Sequence, residues 1–205
     1  AVLSTSVDKY MYVTVNKKFD SDIRLSYSIT ENESSVQQIK HPIVRNILNF
    51  LGIEGGIEIT SISDIPSHGS GLGSSSSYTV ALLHALYAYQ GKSISKEELG
   101  RLSSHIEIDL CGDNIGKQDQ YAASFGGLNL IEFNEDDSVV VSPVICKPET
   151  ILRMEESILV FYTGRTRSAS SLLNDLSENM KRPRKRALMS DMVSMAYDMR
   201  DLLEN

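Results

Sequence analysis

A chain of 205 residues, 41% hydrophobic and 23% charged, has the composition of a soluble globular protein with room for one domain or one and a half. Its net charge of −7 argues against a general nucleic-acid surface, and it contains no apolar run of membrane-spanning length. No basic-then-apolar segment opens at Ala1, so the expectation is a cytoplasmic protein with no nucleic-acid and no membrane partner. Cys111 and Cys146 form neither a disulfide framework nor a metal-ligand spacing; both read as reduced structural thiols, with a bond between them left open.

Residues 2–7 read as a strand. Met11, Val13 and Val15 alternate with Tyr10, Tyr12 and Thr14, and Ile23, Leu25 and Tyr27 alternate with Arg24, Ser26 and Ser28. This predicts two half-buried strands joined around residues 17–20 as an antiparallel pair. Residues 30–40 are polar and read as a loop or sheet edge. Pro42 then opens a helix with Ile43, Ile47, Leu48 and Leu51 on one face, which Gly52 ends. Residues 57–62 form the next strand.

The stretch that follows, Ile65-Pro66-Ser67-His68-Gly69-Ser70-Gly71-Leu72-Gly73-Ser74-Ser75-Ser76-Ser77, runs straight into the apolar pattern of a helix expected to end near Gln90. Three alternate glycines permit positive φ and close approach to a ligand, and the helix start offers N–H groups and the positive end of its dipole. Strand, glycine turn and helix in that order suit a phosphate cradle, against the plainer reading of a loop capping a buried helix. No Lys-Ser/Thr follows the glycines, so the Walker pattern is not met.

Ser95 and Glu98 form a capping box for a helix carrying Leu99, Leu102, Ile106 and Leu110. Glu107 sits beside that stripe, and on its own reads as solvated. Residues 112–123 are turn-rich and lead onto a short helix bearing Asp119, which is either a cap or a carboxylate placed to accept a hydroxyl proton. Residues 126–133 and 139–141 read as a hairpin about the acidic turn Glu135-Asp136-Asp137. The apolar run 157–163 reads as a central strand opening a second domain, so the expected division is 1–150 and 151–205. Arg165 and Arg167 flank the next helix start, where they either grip an anion or remain surface charges. The basic run at residues 181–186 reads as a solvated turn between helices. Leu188, Met192, Met195, Met199 and Leu202 form a stripe read as packing surface on the last helix.

Gly71-Leu72-Gly73-Ser74-Ser75-Ser76 resembles the ATP-binding motif of the GHMP kinases. The segment Gly116-Lys117-Gln118-Asp119-Gln120-Tyr121-Ala122-Ala123-Ser124-Phe125-Gly126-Gly127-Leu128-Asn129 is similar to the sugar-1-kinase branch, most of all to heptose 7-phosphate kinases, and Thr163-Gly164-Arg165-Thr166-Arg167-Ser168 also fits it. The resemblance implies an α+β fold, with an N-terminal ribosomal-protein-S5-like domain and an incomplete ferredoxin-like C-terminal domain. It implies ATP and Mg²⁺ as cofactors and a sugar phosphate as substrate, and leaves a homodimer open. The residues Gly69, Ser70, Gly71, Leu72, Gly73, Ser74, Ser75 and Ser76 would hold the ATP phosphates, Ser74 and Glu107 would supply oxygens to Mg²⁺, and Asp119 would act on the C1 hydroxyl. Lys117 is assigned to substrate or phosphate by its place in sequence, and Arg165 and Arg167 to the far phosphate of the sugar by charge and helix-start placement.

His68 makes the approach to the glycine loop one residue longer than usual for the family. The family's N-terminal sugar-binding motif and its late glycine-rich motif are not found in the chain. The expectation is therefore a kinase as the full-length parent, with this segment alone a weak nucleotide binder or inactive. The alternatives are another sugar 1-kinase, such as a fucokinase, and a non-catalytic nucleotide-binding fragment.

Overall fold

The computed structural model describes residues 1–65, 71–161 and 182–205. Strands β1 (Val2–Thr5), β2 (Met11–Lys17), β3 (Ile23–Ser26) and β4 (Thr30–Glu33) precede helix α1 (Pro42–Leu51), and β5 (Ile57–Ser63) leads to α2 (Ser74–Tyr89). Then come α3 (Lys96–Ser104), α4 (Gln118–Phe125), the hairpin β6 (Leu128–Phe133) and β7 (Val139–Pro143), and helices α5 (Pro148–Ser157) and α6 (Pro183–Glu204). The strands form a four-stranded sheet, β2-β5-β3-β4, and a three-stranded sheet, β1-β6-β7.

The expected β2–β3 pair does not form. β5 lies between them, antiparallel to β2 and parallel to β3. Gly55 and Gly56 make the insertion feasible: Gly56 N donates to Ser21 O at 2.8 Å, and a Cβ on Gly55 would stand 2.2 Å from that same carbonyl. Only a residue without a side chain fits beneath the β2–β3 connection. The register Ile23↔Ile57 and Leu25↔Ile59 puts these four buried side chains on one face. They join buried residues of α1 and α2, among them Ile47, Leu48, Leu82 and Leu83, in the main core. Of the polar stretch 30–40 expected as loop or edge, Thr30–Glu33 is edge strand β4, held antiparallel to β3, and Val36–Gln38 is a 3₁₀ turn.

Several helix boundaries follow from local chemistry. Pro42 occupies the first turn of α1, and Gly52 closes that helix in the left-handed region at φ +65°. Ser95 Oγ accepts from Glu98 N at 3.2 Å, but the Glu98 carboxylate turns to Arg101 instead of completing the box. After Ser104 the helix widens into a π-helical turn over His105–Leu110.

Two expectations in the C-terminal part fail. The apolar run is not a central strand in its described part: residues 158–161 are without strand pairing and exposed, Val160 at 72%. The apolar stripe of α6 is also exposed, with Met195 at 66%, and a different face of that helix packs inward. Leu203, with Ala196 and Tyr197, meets Leu130 and Val144 on the three-stranded sheet, and Tyr197 Oη donates to Glu132 Oε1 at 2.7 Å. Cys111 and Cys146 are both free thiols. Among the described residues no helix is long and apolar enough to cross a membrane.

Candidate active site

The start of α2, the first turn of α4 and the end of β1 converge on one cleft of about 460 Å³. Its walls include Gly71, Leu72, Gly73 and Ser74 on one side, Asp119 and Ala122 on another, and residues 4–7 on a third. That volume suits a small-molecule ligand. Two local ties fix the walls. Ser6 N donates to Gly127 O at 3.0 Å and Gly127 N donates to Ser6 Oγ at 2.7 Å, which locks the end of β1 to the α4–β6 turn. Across the mouth, Tyr10 N donates to Asp64 Oδ2 at 2.9 Å and Asp64 N to Tyr10 O at 3.1 Å.

Gly73 governs the approach of the loop to α2. It precedes the helix at φ +67°, and a Cβ built there would lie 3.4 Å from Cβ and Cγ of Asp119. A methyl group at Gly73 would therefore touch Asp119, and both residues line the same cleft. The first-turn N–H groups of a helix, with the dipole behind them, favour an anion at this spot. Burial pushes the Asp119 carboxyl above its ordinary pKa, which makes its carboxylate a stronger proton acceptor.

Alanine at Gly73 is expected to cost about 1 kcal/mol in urea unfolding, the penalty of a left-handed backbone for an L-residue, and also to weaken nucleotide binding. Gly91 has a similar φ of +70° with nothing within 4 Å of its would-be Cβ. Gly91→Ala should match the stability loss and leave nucleotide affinity unchanged in calorimetric titration, which separates strain from site geometry.

Ser75 and Ser76 do not line the cleft; they turn to Glu107, which is fully buried. Ser75 Oγ and Thr79 Oγ1 donate to Glu107 Oε1 at 3.0 and 2.8 Å. Ser76 Oγ donates to Oε2 at 2.8 Å, and Gln120 Nε2 donates to the same oxygen. Glu107 thus faces inward, as the resemblance implies and the helical spacing alone does not. Both its oxygens accept from protein donors, and it is not on the cleft wall. Ser74 does line the cleft. Among the described residues no group of three or more His, Cys, Asp or Glu side chains is placed to hold a metal.

Lys117 lies on a second cleft, of about 640 Å³, where its Nζ meets Asp137 Oδ1 at 2.5 Å. Gly69, Ser70, Arg165, Arg167 and His68 fall outside the described residues. Thr79 and Gln120 were not singled out from sequence, although a signal was there. Ser75, Ser76 and Thr79 stand at helical spacing on one face of α2, a polar stripe in an apolar helix.

The description "GHMP kinases N terminal domain" matches residues 38–127, a span that holds the glycine turn, Glu107 and Asp119. D-glycero-alpha-D-manno-heptose 7-phosphate kinase of Campylobacter jejuni is 30% identical over 192 residues, covering 88% of this chain. Residues 38–127 are a GHMP kinase N-terminal domain. The chain spans 55% of that Campylobacter jejuni protein. L-fucokinase/L-fucose-1-P guanylyltransferase of Bacteroides fragilis is 29% identical across 73% of the chain, which spans 16% of that protein. The solved structure described as a D-glycero-D-manno-heptose 1-phosphate kinase from Bacteriodes thetaiotaomicron superposes with a TM-score of 0.72 at 27% identity, covering 87% of this chain and 62% of its own. Streptococcus pneumoniae phosphomevalonate kinase, at 16% identity and a TM-score of 0.77 over 99% of this chain and 68% of its own, shares the GHMP fold.

Proposed function

We propose that the protein containing this chain is an ATP-dependent sugar kinase that transfers the γ-phosphoryl group to the C1 hydroxyl of D-glycero-D-manno-heptose 7-phosphate. The observation that carries this reading is that Asp119 lines one cleft with the Gly73 turn, close enough that a methyl group at Gly73 would touch it, which sets a proton acceptor beside a helix start suited to phosphate. Phosphoryl transfer passes through a loose transition state, so alignment and charge neutralisation contribute more than base strength. In this reading the α2 start holds the phosphates, and Asp119 orients the attacking hydroxyl and takes its proton. Mg²⁺, when bound with ATP, supplies charge neutralisation; Ser74 is the cleft residue that fits it, and no step is assigned to Glu107 there.

The deciding experiment is ATP consumption by the intact protein with Mg²⁺, against sugars with and without a terminal phosphate. Turnover confined to heptose 7-phosphate is the expected result; no ATP consumption with any sugar overturns the kinase reading. The similarity to the Bacteroides fragilis fucokinase supports a second reading, a kinase of an unphosphorylated sugar. Arg165 and Arg167 discriminate between them. As two cations beside a sequence-predicted helix start, they are the proposed grip on the far phosphate. Arg167→Ala should raise KM about tenfold for the phosphorylated sugar, the loss of one charge-assisted hydrogen bond, and leave KM for its dephosphorylated counterpart unchanged. Equal effects on both would remove the anion grip.

A further inference from the structure

Asp119 sits in the first turn of α4, a helix whose N-cap, Lys117, makes no side-chain capping bond. Something else must fix the rotation of that turn. The adjacent residue, Gln120, is fully buried and its side chain turns to Glu107. Its Nε2 donates to Glu107 Oε2, the same oxygen that accepts from Ser76 of α2 at 2.8 Å. That oxygen is thus the joint between the phosphate-loop helix and the helix bearing Asp119. The backbone of Glu107 adds a second hold, because its carbonyl accepts from Asp113 N at 3.0 Å in the loop entering α4.

The cost of placing Gln120 here is visible. Its Oε1 is buried without a hydrogen-bond partner, an arrangement that disfavours folding. A methionine of similar length would remove the orphaned acceptor. A residue kept only for packing gains nothing from this amide; one that ties α4 to α2 does.

Resting on the assignment of Asp119 above, we infer that Gln120 is a positioning residue that acts through the Glu107 carboxylate to hold Asp119 against the Gly73 turn. The buried pair works as a spacer between the phosphate cradle and the carboxylate on the attacking hydroxyl. Glu107 then acts on catalysis by fixing geometry, not by touching substrate. Displacements of about 1 Å at a reacting group cost up to about a hundredfold in rate, and rotation of an uncapped first turn allows movement of that order.

The test uses the intact protein and Gln120→Met. The expected result is a kcat lowered about tenfold or more, with KM for ATP and sugar within about threefold of wild type and a cooperative melting transition that shows the variant is folded. A kcat within twofold of wild type overturns the inference, as does a loss that appears in KM alone. Asp119→Asn is measured alongside. If it keeps wild-type turnover, the reading of Asp119 itself fails; if it is inactive while Gln120→Met is unaffected, only the positioning role fails. Should Gln120→Met not fold, the exchanged pair Glu107→Gln with Gln120→Glu decides, since it restores an amide–carboxylate contact with the roles reversed. Recovery of kcat above that of both single variants supports the coupling, and recovery above neither overturns it.

Discussion

Asp119→Asn is expected to lower kcat by about a thousandfold, the range of a positioned general acid–base group, without unfolding the protein. Asparagine keeps the shape of the side chain against Gly73 and loses the capacity to take a proton. Binding should survive, because the glycine turn and the α2 start are intact; ADP affinity by calorimetric titration is the check. Loss of turnover together with loss of nucleotide binding would instead assign Asp119 to holding the loop.

The same variant carries a stability prediction of opposite sign. Burial raises the Asp119 pKa in the folded protein above that of the unfolded chain. A raised pKa favours the protonated form, so the contribution to stability is full below the unfolded value and is lost as pH rises through the folded one. At neutral pH the ionised carboxylate is therefore a net cost to folding. Asp119→Asn should leave the melting temperature at pH 7 unchanged or higher, and that gain should vanish in acid, where wild-type Asp119 is protonated as well. Turnover runs the other way: activity is present above the folded pKa and falls as pH drops through it. A pH profile whose acid limb lies above the ordinary aspartate value of about 3.9 is the kinetic counterpart.

Local chemistry made much of this fold legible. Pro42 and Gly52 bound α1, the glycine turn precedes α2, and the acidic turn joins β6 to β7, because each depends on residues within a few positions. The failures lie where the outcome depended on partners far away in sequence. Alternation in residues 11–15 and 23–27 shows that each strand buries one face but not which strand lies beside it; Gly55 and Gly56 decided that by admitting β5. The stripe from Leu188 to Leu202 has good helical spacing, yet Leu203 and Tyr197 are the residues that found the sheet. Glu107 is the most informative case. On a regular α-helix it falls beside the apolar stripe, but a π turn changes the angular register of what it contains, and this carboxylate is turned into the protein. Asp119 was nameable from its motif, whereas the buried pair behind it joins positions 13 residues apart on different helices.

Glu107→Ala should then be among the most damaging single substitutions in the core, costing about 3 kcal/mol in urea unfolding, since stranded buried hydrogen-bonding groups cost about 1–3 kcal/mol each. The substitution strands Gln120 Nε2 and the buried hydroxyls of Ser76 and Thr79, releases that of the exposed Ser75, and leaves a void. The effect is less than the sum of four lost bonds because hydroxyls reorient; Thr79 Oγ1 already lies 3.1 Å from Ser75 O and can use it. Glu107→Gln should fall between wild type and alanine, keeping the volume and one good acceptor while setting its NH₂ against groups that now donate. Leu83→Ala is the reference for a purely apolar loss at an equally buried position, at about 2–5 kcal/mol. The two alanine variants should differ in the place of the damage. Hydrogen exchange in Leu83→Ala should rise across the core that α2 shares with the sheet, whereas in Glu107→Ala it should rise first at the start of α2 and the first turn of α4. Uniform loss of protection in both would reduce Glu107 to a bulk contributor to folding and sever its link to the Asp119 cleft.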